Sequence, residues 1–591
     1  MNQEKWKIEL ADTPVWLLGS FAGVLLFCLL AALLLSRTRF GRQFGQIVRP
    51  CLRGSGAFKA AALMLLLLLM VLVEVRISVL NTFFYNGLYS SLQDGAAEAF
   101  WFFALINAAL MAVKVVHTVL NDFLEQVFMI RWLERLNQAL TETWLAHKNY
   151  YRLHMRRHAP DNIDQRIQQD AQDFIVTTVE MVRGLINAVV SVVEFTIILW
   201  GLSGVLTLLG VDIPRGMVMF IYLFIAGATL ASVWIGRPLV RLNFQNERFN
   251  GDYRYALIRV RDHAESIAFY NGEAAEQDNL RRRFERIIRN RWQMVYRSLR
   301  LNGFNTGVTQ ISNLLPLMLQ APRFFAGEVK IGDMHQTVQA FNRLQRALSF
   351  FRNTYEAFTA YQARVERLHG FLSHMKDSLP YRLPDTETAA GGLAVEGLTL
   401  YRSDGSVLLA DIGFRVAAGD ALLIQGPSGC GKTSLLRALA GLWPFGSSGR
   451  IRAPAHEHTL FVPQRPYMPQ GSLRQALCYP DLQPNEAALV QAMDDCRLGY
   501  LKAYLDKEDD WQHKLSPGEL QRAAFVRIVL CRPQLVLLDE ATSALDEETE
   551  AALYGLLRRE LSGSMVVSVG HRSSLNGFHN QVVRVGEAAC A

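Results

Sequence analysis

Residues 426–433 read Gly426-Pro427-Ser428-Gly429-Cys430-Gly431-Lys432-Thr433, a complete G-x-x-x-x-G-K-[ST] phosphate loop, with Ser434 next in line. The apolar run Ala421-Leu422-Leu423-Ile424 leads straight into it, and a helical pattern leaves from Thr433. Strand, loop and helix in that order are the context this motif needs. The glycines let backbone N–H groups turn toward phosphates, and the helix N-terminus adds its dipole. Lys432 is expected on the β and γ phosphates of a nucleotide, and Thr433 on Mg²⁺.

Four more signals follow in fixed order. They are Leu515-Ser516-Pro517-Gly518-Glu519, the apolar strand 535–538 ending in Asp539-Glu540, Ser543-Ala544-Leu545-Asp546, and His571. Asp539 sits where a strand delivers a carboxylate to Mg²⁺, and Glu540 is placed to polarise the attacking water. The whole set resembles an ATP-binding cassette. That resemblance implies that Gln464, in Phe461-Val462-Pro463-Gln464, senses metal and water, and that His571 contacts the γ-phosphate. It also implies that Tyr401 stacks on adenine and that Ser516, Gly518, Glu519 and Asp546 help enclose ATP. Taken singly, His571 is an ordinary surface histidine and Tyr401 an edge-strand tyrosine. The signature departs from its commonest form, with Pro517 in place of Gly and Glu519 in place of Gln.

A chain of 591 residues is too long for one ordinary domain. Half of it is apolar, and the net charge of +7 is concentrated in particular loops. That distribution points to a membrane surface and away from nucleic acid. The seven cysteines are scattered without a C-x-x-C pair, so neither a metal site nor a disulfide framework is indicated.

Residues 16–35 can span a bilayer, which takes about 20 residues. The strongly basic flank follows this run, so it reads as a retained helix and not a cleaved signal. Further spans are expected at 57–80, 100–120, 184–209 and 216–236, with a weaker one at 304–325 broken by Pro316 and Pro322. Arg37, Arg39, Arg42, Arg49 and Arg53 place the end of the first span in the cytoplasm. Residues 81–99 contain no Lys or Arg and face outward, whereas 131–183 and 237–300 are basic and face inward. The alternation leaves the nucleotide loop in the cytoplasm.

The region 334–372 is helical in pattern yet carries Arg343, Arg346 and Arg352, which suits a helix lining a watery cavity. Glu194 lies mid-span; it either lines that cavity or makes an interhelical hydrogen bond. Glu74, Arg76, Lys114 and His117 are further ionisable residues within apolar runs.

The stretches Asn162-Ile163-Asp164-Gln165-Arg166, 237–244, 265–273, 198–203 and Gly441-Leu442-Trp443-Pro444 resemble the SbmA/BacA-like ABC transporters, relatives of the peroxisomal fatty acyl-CoA transporters. The resemblance implies a type IV exporter-like fold: a helical membrane domain of six core helices plus an extra N-terminal helix, fused to an α/β P-loop cassette. The expected boundaries are 1–36 for the extra helix, 37–375 for the membrane domain, 376–392 for a linker and 393–591 for the cassette. ATP and Mg²⁺ are the implied cofactors. A homodimer in the cell inner membrane is implied as well, because each phosphate loop needs a second copy's signature. The implied cargo is hydrophilic or amphipathic, with uptake of cobalamin-like molecules or peptides as the leading reading. Alternatives are transport of acyl-CoA or lipid, and a membrane ATPase that regulates a partner without transport. A further rival, a soluble cassette protein acting on ribosomes or in DNA repair, is strongly argued against by the apolar spans.

Overall fold

The structure, a computed structural model, describes residues 5–52, 56–155, 162–208, 211–376, 385–389, 391–480 and 482–586. Arg53 and residues 377–384 and 390 of the expected linker lie outside the described residues. Two units emerge: 1–149 with 160–375, and 150–159 with 376–591.

The first unit is helical. It begins with α1 (Lys5–Ala11), α2 (Thr13–Arg37) and α3 (Arg39–Val48). The long α4 (Ala57–Gln93) and α5 (Ala97–Leu145) follow, and α6 (Asn149–His154) passes into the second unit. The short α7 (Ile163–Gln165) runs through a π turn into α8 (Ala171–Leu202). Then come α9 (Gly216–Asp262), α10 (Ala264–Phe269), α11 (Glu273–Phe325), α12 (Ile331–Leu348) and α13 (Phe350–Lys376). Among the described residues, five helical stretches are long and apolar enough to cross a membrane, lying in α2, α4, α5, α8 and α9. The 53 residues of α11 extend about 80 Å at 1.5 Å per residue, far beyond a bilayer.

Helix α4 packs on α5, α9 on α11, and α12 against α4, α8 and α11. Thr337, Ala340, Phe341 and Leu344 of α12 are fully buried, the spacing of one helical face. Opposite them, Phe195, Leu199 and Ile221 complete a core.

Three features differ from the sequence-based expectation. Helix α11 continues through Pro316 and Pro322. A proline costs a helix one N–H and crowds the carbonyl four residues earlier, but packed neighbours in a membrane bundle tolerate this. The region 334–372 is two helices, broken at Ser349. Phe350, just past the break, lies over Gly184 of α8, where a Cβ would come within 2.4 Å of its ring. Helix α8 ends at Leu202, and its expected continuation to 209 is instead a hairpin, β1 (Val205–Leu208) against β2 (Val211–Pro214).

The second unit is α/β. One sheet contains β3 (Asp385–Thr388), β4 (Gly392–Tyr401), β5 (Val407–Ala417) and, further along, β7 (Ser447–Ala453), in the order β3-β7-β4-β5. The other is all parallel. Its strands are β6 (Ala421–Gln425), β8 (Thr459–Val462), β11 (Leu535–Asp539), β12 (Met565–Val569) and β13 (Gln581–Arg584), ordered β13-β6-β12-β11-β8. The two-residue strands β9 (Gly471–Ser472) and β10 (Glu508–Asp509) pair separately. Every residue of β11 and β12 is buried, as strands covered on both faces require.

Helix α14 (Lys432–Leu439) leaves the phosphate loop and buries Leu435, Leu436 and Leu439 against Leu400, Leu409 and Ile424. A second core holds α15 (Leu473–Leu477), α16 (Glu486–Asp495), α17 (Trp511–Lys514) and α18 (Pro517–Cys531) around Trp511 and Phe525. Helix α19 (Glu547–Glu560) packs Leu553 and Leu557 into the same core.

Candidate nucleotide site

The loop 426–431 connects β6 to α14, and its crest of Pro427, Ser428 and Gly429 is exposed. Gly426 passes so close to the chain that a Cβ there would lie 2.1 Å from the Val585 carbonyl oxygen. Gly431 caps α14 with a φ of 105°, a left-handed conformation that favours glycine. Lys432 is buried, and its Nζ donates to the carbonyls of Gly426 and Pro427 at 2.8 Å each. The ammonium is thus held across the loop, with donors that incoming phosphate oxygens can take.

Three adjacent strands of the parallel sheet, β8, β11 and β12, end on the same side as this loop. Asp539 closes β11, and its Oδ1 accepts from the Thr433 hydroxyl at 2.9 Å. Burial pushes the Asp539 carboxyl above its ordinary range, against the opposing pull of Thr433 and Arg437. Glu540 follows with a φ of 48°, unusual for a residue with a side chain. Its N–H donates to the Val569 carbonyl at 3.1 Å, which fixes this turn to β12. The Glu540 carboxylate accepts from Gln464 Nε2 at 2.8 Å, and its other oxygen lies 3.4 Å from His571 Nε2. Gln464 comes from the end of β8 and His571 from the end of β12. Parallel strand pairing therefore gathers residues more than a hundred positions apart around one carboxylate.

Ser516 caps α18, and Pro517 stands in its first turn. The Ser516 N–H and hydroxyl both donate to Glu519 Oε2 at 2.7 Å, and the Glu519 N–H donates back to the hydroxyl at 3.3 Å. This reciprocal capping box accounts for both departures of the signature: proline suits a first helical turn, and glutamate completes the box. The Tyr500 hydroxyl donates to the other Glu519 oxygen. Burial alone would raise the Glu519 carboxyl, but the hydrogen bonds from Tyr500 and Ser516 outweigh it and hold it below the ordinary range. Gly518 faces the Ala544 carbonyl, 3.3 Å from where a Cβ would stand.

Asp546 serves as the cap of α19, accepting from the Thr549 N–H at 2.7 Å and hydroxyl at 3.0 Å. Tyr401 is half-buried at the end of β4; its carbonyl accepts from Trp443 Nε1 at 3.0 Å. Cys430 is a partly buried free thiol within the loop, and Ser434 is partly buried in the first turn of α14.

Gln521 was not among the expected site residues. It is buried in α18, with its Nε2 3.2 Å from the Gln464 carbonyl, 3.4 Å from the Glu540 carbonyl and 3.2 Å from Ser543 Oγ. Its Oε1 accepts from the Ala544 N–H at 2.9 Å. One amide therefore ties α18 to the loop after β8 and to the turn after β11, both of which carry expected site residues. Its only sequence signal is a position two residues after Glu519, on the face of α18 that turns inward.

The membrane candidates separate. Glu194 accepts from Trp16 Nε1 of α2 at 2.8 Å and lines a crevice with Gly23 and Phe27. The interhelical hydrogen bond is what the structure shows for it. Trp16 also lies under the Arg76 guanidinium, 5.2 Å from the ring centre, and Arg76 pairs with Glu9 at 3.0 Å. Glu74 lies 3.7 Å from Arg183, and His117 Nε2 3.0 Å from the Met70 carbonyl. Arg343 and Arg346 line a different pocket of about 260 Å³ with Asn187, Ser191 and Phe350. The side chain of Arg352 lies outside the described residues.

Comparison with known proteins agrees with this architecture. The family described as ABC transporter transmembrane region 2 matches residues 47–325, and that described as ABC transporter matches 409–543. A Haemophilus influenzae protein, described as an ABC transporter ATP-binding protein of uncharacterised role, is 53% identical over 98% of both chains. A human lysosomal cobalamin transporter is 27% identical, over 93% of this chain and 95% of its own. A bacterial Atm1-family ABC exporter solved with ATP bound superposes with a TM-score of 0.70 at 20% identity, covering 89% of this chain and 94% of that one. The fold is thus that of a type IV exporter, and the activity is ATP hydrolysis coupled to transport across the inner membrane, with the cassette in the cytoplasm. With an ATP-binding cassette and a membrane region fused in one polypeptide, the chain belongs to the ABC transporter family.

Proposed function

We propose that the chain is a homodimeric half-transporter of the SbmA/BacA-like group that takes up hydrophilic or amphipathic molecules, cobalamin-like compounds or peptides among them. The observation that carries the catalytic part is the Glu540 carboxylate, held between Gln464 and His571 beside the Thr433–Asp539 pair. Lys432 and the N–H groups of 426–434 bind the phosphates of ATP, and Tyr401 stacks on its adenine. Glu540 accepts the proton of the attacking water, and His571 donates to the γ-phosphate. Thr433, Asp539 and Gln464 offer the hard oxygen donors that Mg²⁺ prefers, and they would hold it. The ion's charge would offset that of the phosphates.

Ser516 and Gly518 of a second copy complete the site, so each ATP needs both chains, with Glu519 and Asp546 setting the helix ends beside it. Residues 1–36 act as an extra membrane helix, 37–375 as the transport domain, 376–392 as a linker and 393–591 as the cassette. The cargo reading rests on Arg343 and Arg346 facing one pocket beside Asn187 and Ser191, a polar wall within the membrane unit, and on the relative described as a cobalamin transporter.

Mixing Lys432→Ala and Ser516→Ala subunits tests the shared site. Each pure variant has no intact site, whereas one in the mixed dimer is intact, so hydrolysis returns on mixing. Full activity of a monomer would refute the arrangement.

A further inference from the structure

A cavity of about 600 Å³ opens between the start of α4, residues 128–135 of α5 and the turn that follows α3. No expected site residue lines it. Its floor is apolar, formed by Leu63, Met64, Phe128 and Trp132, which belong to one packed cluster. Its rim carries Lys59, Arg131 and Arg135, against the single carboxylate of Glu134. Among the described residues, no carboxylate forms an ion pair with any of these three cations.

The position of the cavity matters as much as its lining. The basic segment that begins at Arg131 lies on the cytoplasmic side, so the cavity sits where the hydrocarbon core meets the inner-leaflet headgroups. Arg135 is accommodated there by a glycine: a Cβ on Gly56 would lie 1.8 Å from its Nη2. Helix α4 begins at this point with no acidic residue in its first turn, so its dipole adds to the positive field.

We propose that this cavity binds an anionic phospholipid of the inner leaflet. The acyl chains lie on the floor of Leu63, Met64, Phe128 and Trp132, and Lys59, Arg131 and Arg135 hold the phosphate. A zwitterionic lipid fits less well, because its ammonium would meet the same three cations. Basic pockets between membrane helices on the cytoplasmic side have the chemistry for such headgroups.

Native mass spectrometry of the full-length protein, loaded with equal phosphatidylglycerol and phosphatidylcholine, tests this. The expected result is retained phosphatidylglycerol in the wild type, bound on the order of a hundredfold more weakly once Lys59, Arg131 and Arg135 are all changed to Ala. Excess inorganic phosphate should not displace it, which separates lipid from a free anion. Ala60→Trp, which fills the cavity and keeps the charges, should also lose the lipid, and basal ATP hydrolysis by each variant checks its folding. Equal retention of both lipids, or undiminished phosphatidylglycerol in both variants, would overturn the proposal. So would cavity variants that lose dimers instead of lipid, because a second copy would then be the occupant.

Discussion

The Glu519 carboxylate accepts both the main-chain N–H and the hydroxyl of Ser516, each at 2.7 Å. The hydroxyl expected to meet the γ-phosphate of a second copy's ATP is therefore occupied by its own helix cap. Glu519→Ala should free the hydroxyl and lose the carboxylate half of the capping box, costing about 0.3–1.5 kcal/mol of stability in a thermal melt of the full-length protein, while the residue-519 N–H still reaches the Ser516 hydroxyl. Glu519→Gln keeps an acceptor without the charge. It should hold the melting temperature and lower the KM for ATP, since no carboxylate then competes with phosphate at Ser516. An unchanged KM in both variants would show that the capping bond does not oppose nucleotide.

Gln521 should behave as a positioning residue. Gln521→Leu leaves the Ala544 N–H and the carbonyls of Gln464 and Glu540 without this partner, a loss of about 2–3 kcal/mol of stability. Turnover should fall while ATP affinity is largely retained, because the phosphate loop is untouched. Fluorescent ATP binding and steady-state hydrolysis, measured together, distinguish this from global unfolding.

Asp539 supplies a pH dependence whose sign is fixed by its burial. Its folded-state carboxyl lies above the ordinary value, so the folded protein binds the extra proton between the two values. Stability without nucleotide should fall as pH rises through that window. Asp539→Asn removes the buried charge and should melt higher than wild type at pH 7 without nucleotide. With ATP and Mg²⁺ the order should reverse, since the wild-type carboxylate gains a cation and the amide does not. Lower melting of the variant in both conditions would contradict the electrostatic account.

Helix α12 should present one reactive face. Cysteines at Gln339, Arg343 and Arg346 should react with water-soluble thiol reagents, and those at Thr337, Ala340, Phe341 and Leu344 should be protected, following the burial of each position. Uniform protection would remove the polar wall on which the cargo reading depends.

The nucleotide site was legible because its chemistry is local. The loop 426–433, the pair Asp539-Glu540 and Ser516 each sit in short segments whose residue types are dictated by phosphate, metal or cap. Gln521 was not legible, because its role arises only where the loop after β8 and the turn after β11 converge on one amide of α18. The partner of Glu194 was hidden for a similar reason: Trp16 lies 178 positions away and meets it only through helix packing. Helix ends were less legible than helices. Pro316 and Pro322 read as breaks yet lie within α11, whereas the real break falls at Ser349, where the sequence carries no proline or glycine.

ATP-dependent uptake into proteoliposomes tests most directly whether Glu540 drives transport. With radiolabelled cobalamin and a peptide as parallel probes, wild-type protein should accumulate at least one of them only when ATP is supplied on the cassette side. Glu540→Gln should bind ATP yet hydrolyse it about 10²–10⁴-fold more slowly and accumulate neither. Uptake by Glu540→Gln at the wild-type rate, or brisk wild-type hydrolysis that moves neither probe, would contradict it.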